Sequence, residues 1–192
     1  MTDSEPPKKG IASLAPSLLI SMPQMVDPNF HQTVILLCEH GEDGAFGLVL
    51  NRRTETPAAE VVGMSPPVSG QSDLELWIGG PVSPERGWIL LGNEPSEADS
   101  VRVCDGVFLS TSQTLLRRLL ESPPPPRTRL LTGYAGWGPG QLDAELSLSS
   151  WLNADIDLDI VFDTEPDRMW DAVIRRLGVD PALLQTGGTS VN

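Results

Sequence analysis

The run Thr33 to Glu39, TVILLCE, constrains this chain more than any other stretch. It is continuously apolar and β-branched at its start, so it reads as a buried strand. The loop HGEDG follows, and Ala45 to Leu50 is a second apolar segment. Together they predict a hairpin whose loop carries the glycines such turns need. A chain holding such a hairpin must build a sheet and cover it.

The remaining segments fit around it. Leu18 to Met22 reads as a short strand stopped by Pro23, and Pro57 to Met64 as a short helix with proline in its first turn. LELWIGG and RGWILLG read as two strands joined by PVSPE, and VRVCDGVFLS as a hairpin turning at Asp105-Gly106. Ser110 and Gln113 form an S-x-x-Q capping box opening a helix with Leu115, Leu116, Leu119 and Leu120 on one stripe; four prolines, 123 to 126, end it. Arg129 to Tyr134 is a strand, and Gln141 to Leu146 starts a helix. Ile156, Leu158, Ile160 and Phe162 alternate with Asp155, Asp157, Asp159 and Val161, which predicts a half-buried strand. Thr164 and Asp167 predict the cap of a last helix, with Pro166 in its first turn, Met169, Trp170, Val173, Ile174 and Leu177 on one face, and Gly178 at its end. No internal repeat is present. The pattern is α+β, with mostly antiparallel strands and helices packed outside. Residues 1–12 read as a flexible tail, 13–184 as a single domain and 185–192 as a second flexible tail.

Charge narrows the function. The 192 residues carry a formal charge of −13, the lysines are Lys8 and Lys9, and the arginines are scattered. That balance speaks against direct nucleic-acid binding, which depends on clustered Lys and Arg. Cys38 and Cys104 form no CxxC or Cys/His cluster and read as buried thiols of a reducing compartment. Ser13, Pro16, Ser17 and Ser21 interrupt the stretch that could resemble a signal peptide, and no apolar run approaches the ~20 residues of a spanning helix. The expected location is the cytoplasm, without membrane attachment.

GYAGWGPGQLDAEL, residues 133 to 146, raises the question of a phosphate loop. Gly133 and Gly138 match the Walker A glycines, but Pro139-Gly140 stands where K-[ST] must follow; a dinucleotide fingerprint started at Gly136 meets Gln141 where glycine is required. The expectation is a tight turn in which Gly136, Gly138 and Gly140 permit positive φ and Tyr134 and Trp137 pack over it. Gln141 and Glu145, at i and i+4, share one face beside the turn, either to bind a ligand or to hold the loop. The alternate aspartates lack the spacing of a calcium loop and read as a solvated face, so no metal and no cofactor is expected. Cys38 and His40 fall on one strand face, where an inert thiol is the simpler reading than a nucleophilic pair. His31 is a lone loop histidine. Asn51, Arg52 and Arg53 follow a buried strand, and Arg86 follows the Gly79-Gly80-Pro81 turn; each could place a polar group at a pocket mouth or serve as surface charge. Neither G-x-S-x-G nor H-E-x-x-H occurs.

Three segments together, LLISMPQMVDPNFHQTVILLCEHGEDGAFGLVLNR, IGGPVSPERGWILL and GYAGWGPGQLDAELSLSSWL, strongly resemble the bacterial AlgH/YqgE family. The positions carrying the likeness include Pro23, Asp27, Pro28, Phe30, Glu39, His40, Gly47 and Asn51, then Gly79, Gly80, Pro81, Arg86 and Gly87. Gly133, Tyr134, Trp137, Gly140, Gln141, Glu145 and Trp151 complete the set. His31-Gln32 stand where members often carry a basic pair, and Arg53 where many have proline. The resemblance implies a bifurcated, mostly antiparallel sheet curled into a pseudo-barrel with helices around it. It brings no catalytic residues or cofactor; the family's label as a transcriptional regulator rests on a genetic link to alginate regulation. The leading expectation is therefore a non-enzymatic binding or regulatory protein acting through an unknown protein or small-molecule partner. The alternatives are an enzyme or ligand-binding protein with a pocket near Trp137, Gln141 and Glu145, and an oligomer formed through apolar strand faces.

Overall fold

The computed structural model describes residues 12–68, 72–96 and 99–186. The tail expected over 1–12 lies, apart from residue 12, outside the described residues, as does 187–192 of the second tail. Strands β1 (Ser17–Ser21), β2 (Val34–Gly41) and β3 (Gly44–Val49) form an antiparallel meander, and β10 (Trp151–Ala154) pairs with the outer edge of β1. Strand β9 (Thr128–Trp137) joins β3 through Ala45↔Trp137 to Gly47↔Ala135. Beyond β9 the sheet continues through β6 (Val82–Leu91), β8 (Val107–Ser110) and β7 (Ser100–Cys104). Strand β5 (Glu75–Ile78) runs parallel to β9 at Leu76↔Leu130 to Ile78↔Thr132 and pairs antiparallel with β4 (Arg53–Pro57).

One edge of β9 thus serves β5 along its first half and β3 along its second, and this is the bifurcation of the sheet. Gly79 sits at the fork: its carbonyl accepts from Val49 N at 2.8 Å and its N–H donates to Thr132 O at 2.7 Å. Three backbones can meet there because side chains are missing. A Cβ on Gly80, at φ +151°, would lie 2.2 Å from the carbonyl carbon of Tyr134, and one on Gly133, at φ +68°, 2.2 Å from Gly80 O.

Alternation decides the layers. Leu18, Ile20, Val34, Leu36, Leu48, Trp88, Leu90, Leu109 and Leu131 face a core shared by nearly the whole sheet, which curls around it as a half-barrel. Helix α4 (Pro166–Arg176) packs Met169, Trp170, Val173 and Ile174 into that core, and Trp170 Nε1 donates to Ser21 O at 2.8 Å. The opposite faces bury two separate clusters. Helices α1 (Ala58–Val61) and α2 (Gln113–Glu121) cover Leu76, Ile89 and Leu130; α3 (Gln141–Ser147) covers Leu19, Ile35 and Val49. Leu115, Leu119 and Leu120 of α2 are buried, worth about 1.5–3 kcal/mol each. The β7–β8 turn falls at Asp105-Gly106 as expected, with Gly106 at φ +75° against Leu158.

Several local expectations are corrected. Ile156 to Phe162 is not a strand: Asp159–Asp163 forms a π-helical turn, and Asp157 Oδ1 accepts from Asp159 N at 3.0 Å and Ile160 N at 3.1 Å. The aspartate that suggested alternation caps a turn, which lets Ile160 and the adjacent Val161 both reach the core. Helix α2 is capped by Ser112 rather than Ser110, whose hydroxyl donates to Asp99 O at 2.7 Å. Glu165 stands at the N-cap of α4 without a side-chain bond, and Thr164 instead donates to Asp159 O. Val82 to Glu85, read as a linker, belongs to β6, and α1 is only four residues long. Helix α5 spans Pro181–Thr186. Among the described residues no helix is long and apolar enough to cross a membrane.

Candidate functional site

The Gly-rich stretch is a hydrogen-bonded corner. Glu145 Oε2 accepts from Trp137 Nε1 at 3.0 Å and from Trp151 Nε1 at 2.7 Å, while its Oε1 accepts from Gln141 Nε2 at 2.9 Å. Gln141 Oε1 accepts from Gly138 N at 3.0 Å. Trp137 and Trp151 are buried edge to face, with ring centroids 5.8 Å apart. Within the loop Gly140, at φ +70°, uses glycine's freedom, whereas Gly136 and Gly138 do not adopt positive φ. Tyr134 packs against Gly136, but on the opposite face from Trp137. Strand alternation sends Trp137 to the α3 side and Tyr134 to the inner face.

Asn51 and Arg52 are likewise engaged. Asn51 is buried; its Oδ1 accepts from Val34 N at 3.1 Å and its Nδ2 donates to Gln32 O at 2.9 Å. Arg52 donates to His31 O and lines a cavity of about 500 Å³ with Asn51, Trp170 and Asp171. Arg53 pairs with Glu75, which holds the Glu75 carboxyl below the usual carboxylate range through hydrogen bonding and charge. Gly79, Gly80 and Pro81 form the fork and the entry to β6.

Arg86 and Tyr134 come together in a cavity of about 510 Å³ at the inner face. Phe46, Trp88 and Tyr134 form its aromatic side, with centroid separations of 4.8 Å (Phe46–Trp88), 5.2 Å (Phe46–Tyr134) and 6.2 Å (Trp88–Tyr134). The Arg86 guanidinium lies 4.5 Å above the Trp88 ring. Glu39, Asp99 and Arg102 complete the polar rim, and among the described residues Trp88 Nε1 is buried without a partner. Sequence reasoning missed Phe46, Trp88 and Asp99, and named Glu39 only among the positions carrying the family likeness. One signal was available: Arg86 and Trp88 are two apart on a strand and so share a face.

Cys38 also lines this cavity, and a β-bulge decides its chemistry. The register passes from Leu37↔Gly47 to Glu39↔Phe46, so Cys38 and Glu39 together face one partner residue. The expected common face of Cys38 and His40 is therefore lost. Cys38 joins the inner core, while His40 turns to the other face, where Nε2 lies 3.3 Å from Asp143 and Nδ1 accepts from Leu14 N at 3.1 Å. Burial, reinforced by Glu39 and then Cys104, pushes the Cys38 thiol far above its ordinary value, so it is protonated at neutral pH.

Two of the three alternate aspartates meet arginines. Asp157 pairs with Arg176, and Asp159 with Asp163 flanks Arg127. Among the described residues no group of three His, Cys, Asp or Glu side chains could hold a metal ion. Arg129, opening an apolar strand, is the buried cation that the sequence did not single out. It donates to Leu50 O at 2.9 Å and Phe162 O at 3.1 Å, lies 4.1 Å over Trp77, and burial lowers its pKa to about 10. It ties β9 to the end of β3 and to the π-helical turn.

A sequence profile described as AlgH-like, DUF179, matches residues 18–182. A UPF0301 protein of Myxococcus xanthus is 41% identical over 177 residues, covering 91% of this chain and 97% of that one. One from Methylococcus capsulatus is 40% identical over 176 residues, covering 89% and 93%. The solution structure of the AlgH protein from Pseudomonas aeruginosa superposes with a TM-score of 0.73 at 36% identity, covering 100% of both chains. The crystal structure of protein DIP2367 from Corynebacterium diphtheriae, at 23% identity and a TM-score of 0.65 over 99% of this chain and 95% of that one, shares the fold.

Proposed function

We propose that this chain, which belongs to the AlgH-like family, is a cytoplasmic, non-enzymatic binding protein that acts in regulation through a ligand held in the Phe46–Trp88–Tyr134 cavity. The observation carrying this reading is a small-molecule-sized hollow with an aromatic wall and a guanidinium that stacks on Trp88. The rival pocket near Trp137, Gln141 and Glu145 has less support, because the Glu145 carboxylate is already taken by three donors. A nucleophilic role for Cys38 is disfavoured by its protonated thiol and by the separation from His40. The charge of −13 favours regulation without direct DNA contact.

The test is an NMR screen of the isotopically labelled protein against a bacterial small-molecule extract. Saturable shifts centred on Phe46, Trp88 and Tyr134, altered in Arg86→Glu, are expected. Shifts centred on residues 133–146 would refute the assignment, and a salt-dependent, sequence-specific gel shift would refute the indirect mode of regulation.

A further inference from the structure

We infer that the cavity takes a small organic cation, bearing an ammonium or guanidinium group, and that Arg86 occupies the cation's place in the free protein. The inference rests on the reading that this cavity is the binding site and adds the charge of its occupant.

Three observations point to the sign. Phe46, Trp88 and Tyr134 form one cluster, and aromatic faces carry the negative end of the ring quadrupole. The Arg86 guanidinium 4.5 Å above Trp88 marks where a cation is accepted. The rim charges then decide between signs. Arg102 is already paired with Asp105, whereas Glu39 and Asp99 line the same cavity and make no ion pair among the described residues. Two free carboxylates therefore stand against the single guanidinium of Arg86. An entering anion would meet both carboxylates and the field of a chain carrying −13; a cation would be drawn by each.

Arg86 is exposed and makes no ion pair among the described residues, so little holds it against displacement. A volume of about 510 Å³ suits a whole small molecule rather than a single ion. The ligand's charged group would lie over Trp88, facing Glu39 and Asp99, and its carbon body would meet Val101, Val103 and Leu109.

The experiment is an NMR titration of the full chain at low salt with benzyltrimethylammonium, agmatine and, as a ring-bearing anion, benzoate. Both cations should saturate shifts at Phe46, Trp88 and Tyr134. Arg86→Ala should bind them about two- to five-fold more tightly, since one cation–π contact no longer competes. Arg175→Ala, which removes the same charge from the exposed side of α4, should leave affinity unchanged, and Glu39→Gln with Asp99→Asn should weaken it. A simple attraction to net charge would instead tighten both arginine variants alike, which would overturn the inference. Weaker or unchanged binding in Arg86→Ala would also overturn it, as would failure of either cation to saturate. If benzoate alone saturates these shifts, the cation assignment falls while the cavity reading stands. If the extract screen also leaves the three rings untouched, both fall.

Discussion

Glu145→Ala separates a structural corner from a functional one. The substitution removes the acceptor shared by Trp137 Nε1 and Trp151 Nε1, in rings that are only 7% and 4% exposed. Hydrogen bonds to a charged acceptor contribute about 1.5–3 kcal/mol each. Glu145 itself is half-buried, so water recovers part of the loss, and the expected destabilisation is about 2–4 kcal/mol. For a chain of this size that lowers Tm by roughly 4–16 °C. Glu145→Gln keeps one oxygen for the indoles but turns an amide N–H₂ toward Gln141 Nε2, so it should lose about half as much. Urea unfolding followed by near-ultraviolet circular dichroism reads both quantities, because the Trp137–Trp151 pair at 5.8 Å contributes to the aromatic band. A Glu145→Ala protein within about 0.5 kcal/mol of the parent, with an unchanged aromatic band, would refute the structural account and return Glu145 to the list of candidate ligand contacts.

Gly80→Ala places a methyl group 2.2 Å from the backbone of Tyr134 and should cost more than about 3 kcal/mol or abolish soluble expression, whereas Gly140→Ala, with no atom within 4 Å, should cost only about 1–2 kcal/mol for its left-handed backbone; equal losses in urea unfolding would refute the fork argument. Thiol titration with Ellman's reagent at pH 8 should show Cys104 reacting first. Burial raises both thiols, but that of Cys38 much further, so thiolate forms there only as pH rises well above the usual thiol range. A fast phase lost in Cys38→Ser rather than Cys104→Ser would contradict this.

The sequence revealed most where one period dominates. TVILLCE, RGWILL and the apolar face of α4 appear where expected, because burial on strand or helix leaves a regular imprint. Strand β4, RTETP, has no buried residue to betray it and is held by pairing with β5, which only the folded chain supplies. Ile156 to Phe162 misled because Asp157 supplies a side-chain acceptor that replaces strand pairing, a local choice that hydrophobic alternation does not encode. The candidate site was legible only in halves. Arg86 and Tyr134 stood out, but the bulge that brings Glu39 onto the side of Phe46 inserts a single residue and leaves no signature in periodicity.

The fork and the cavity are one construction. Gly44, Gly79, Gly80 and Gly133 let β3, β9 and the segment after β5 approach so closely that a Cβ on any of the four would fall within 2.5 Å of a backbone atom. Phe46 lies two residues after Gly44 on β3, and Tyr134 immediately follows Gly133 on β9, so the glycines that bring these strands together also bring two of the three rings to 5.2 Å. Trp88 is fixed by the same strand, through Trp88↔Leu131 on β9. The densest glycine positions in the chain therefore do not cradle a phosphate. They bring two sheet branches onto one strand, and the aromatic wall is the inner surface left where those branches part.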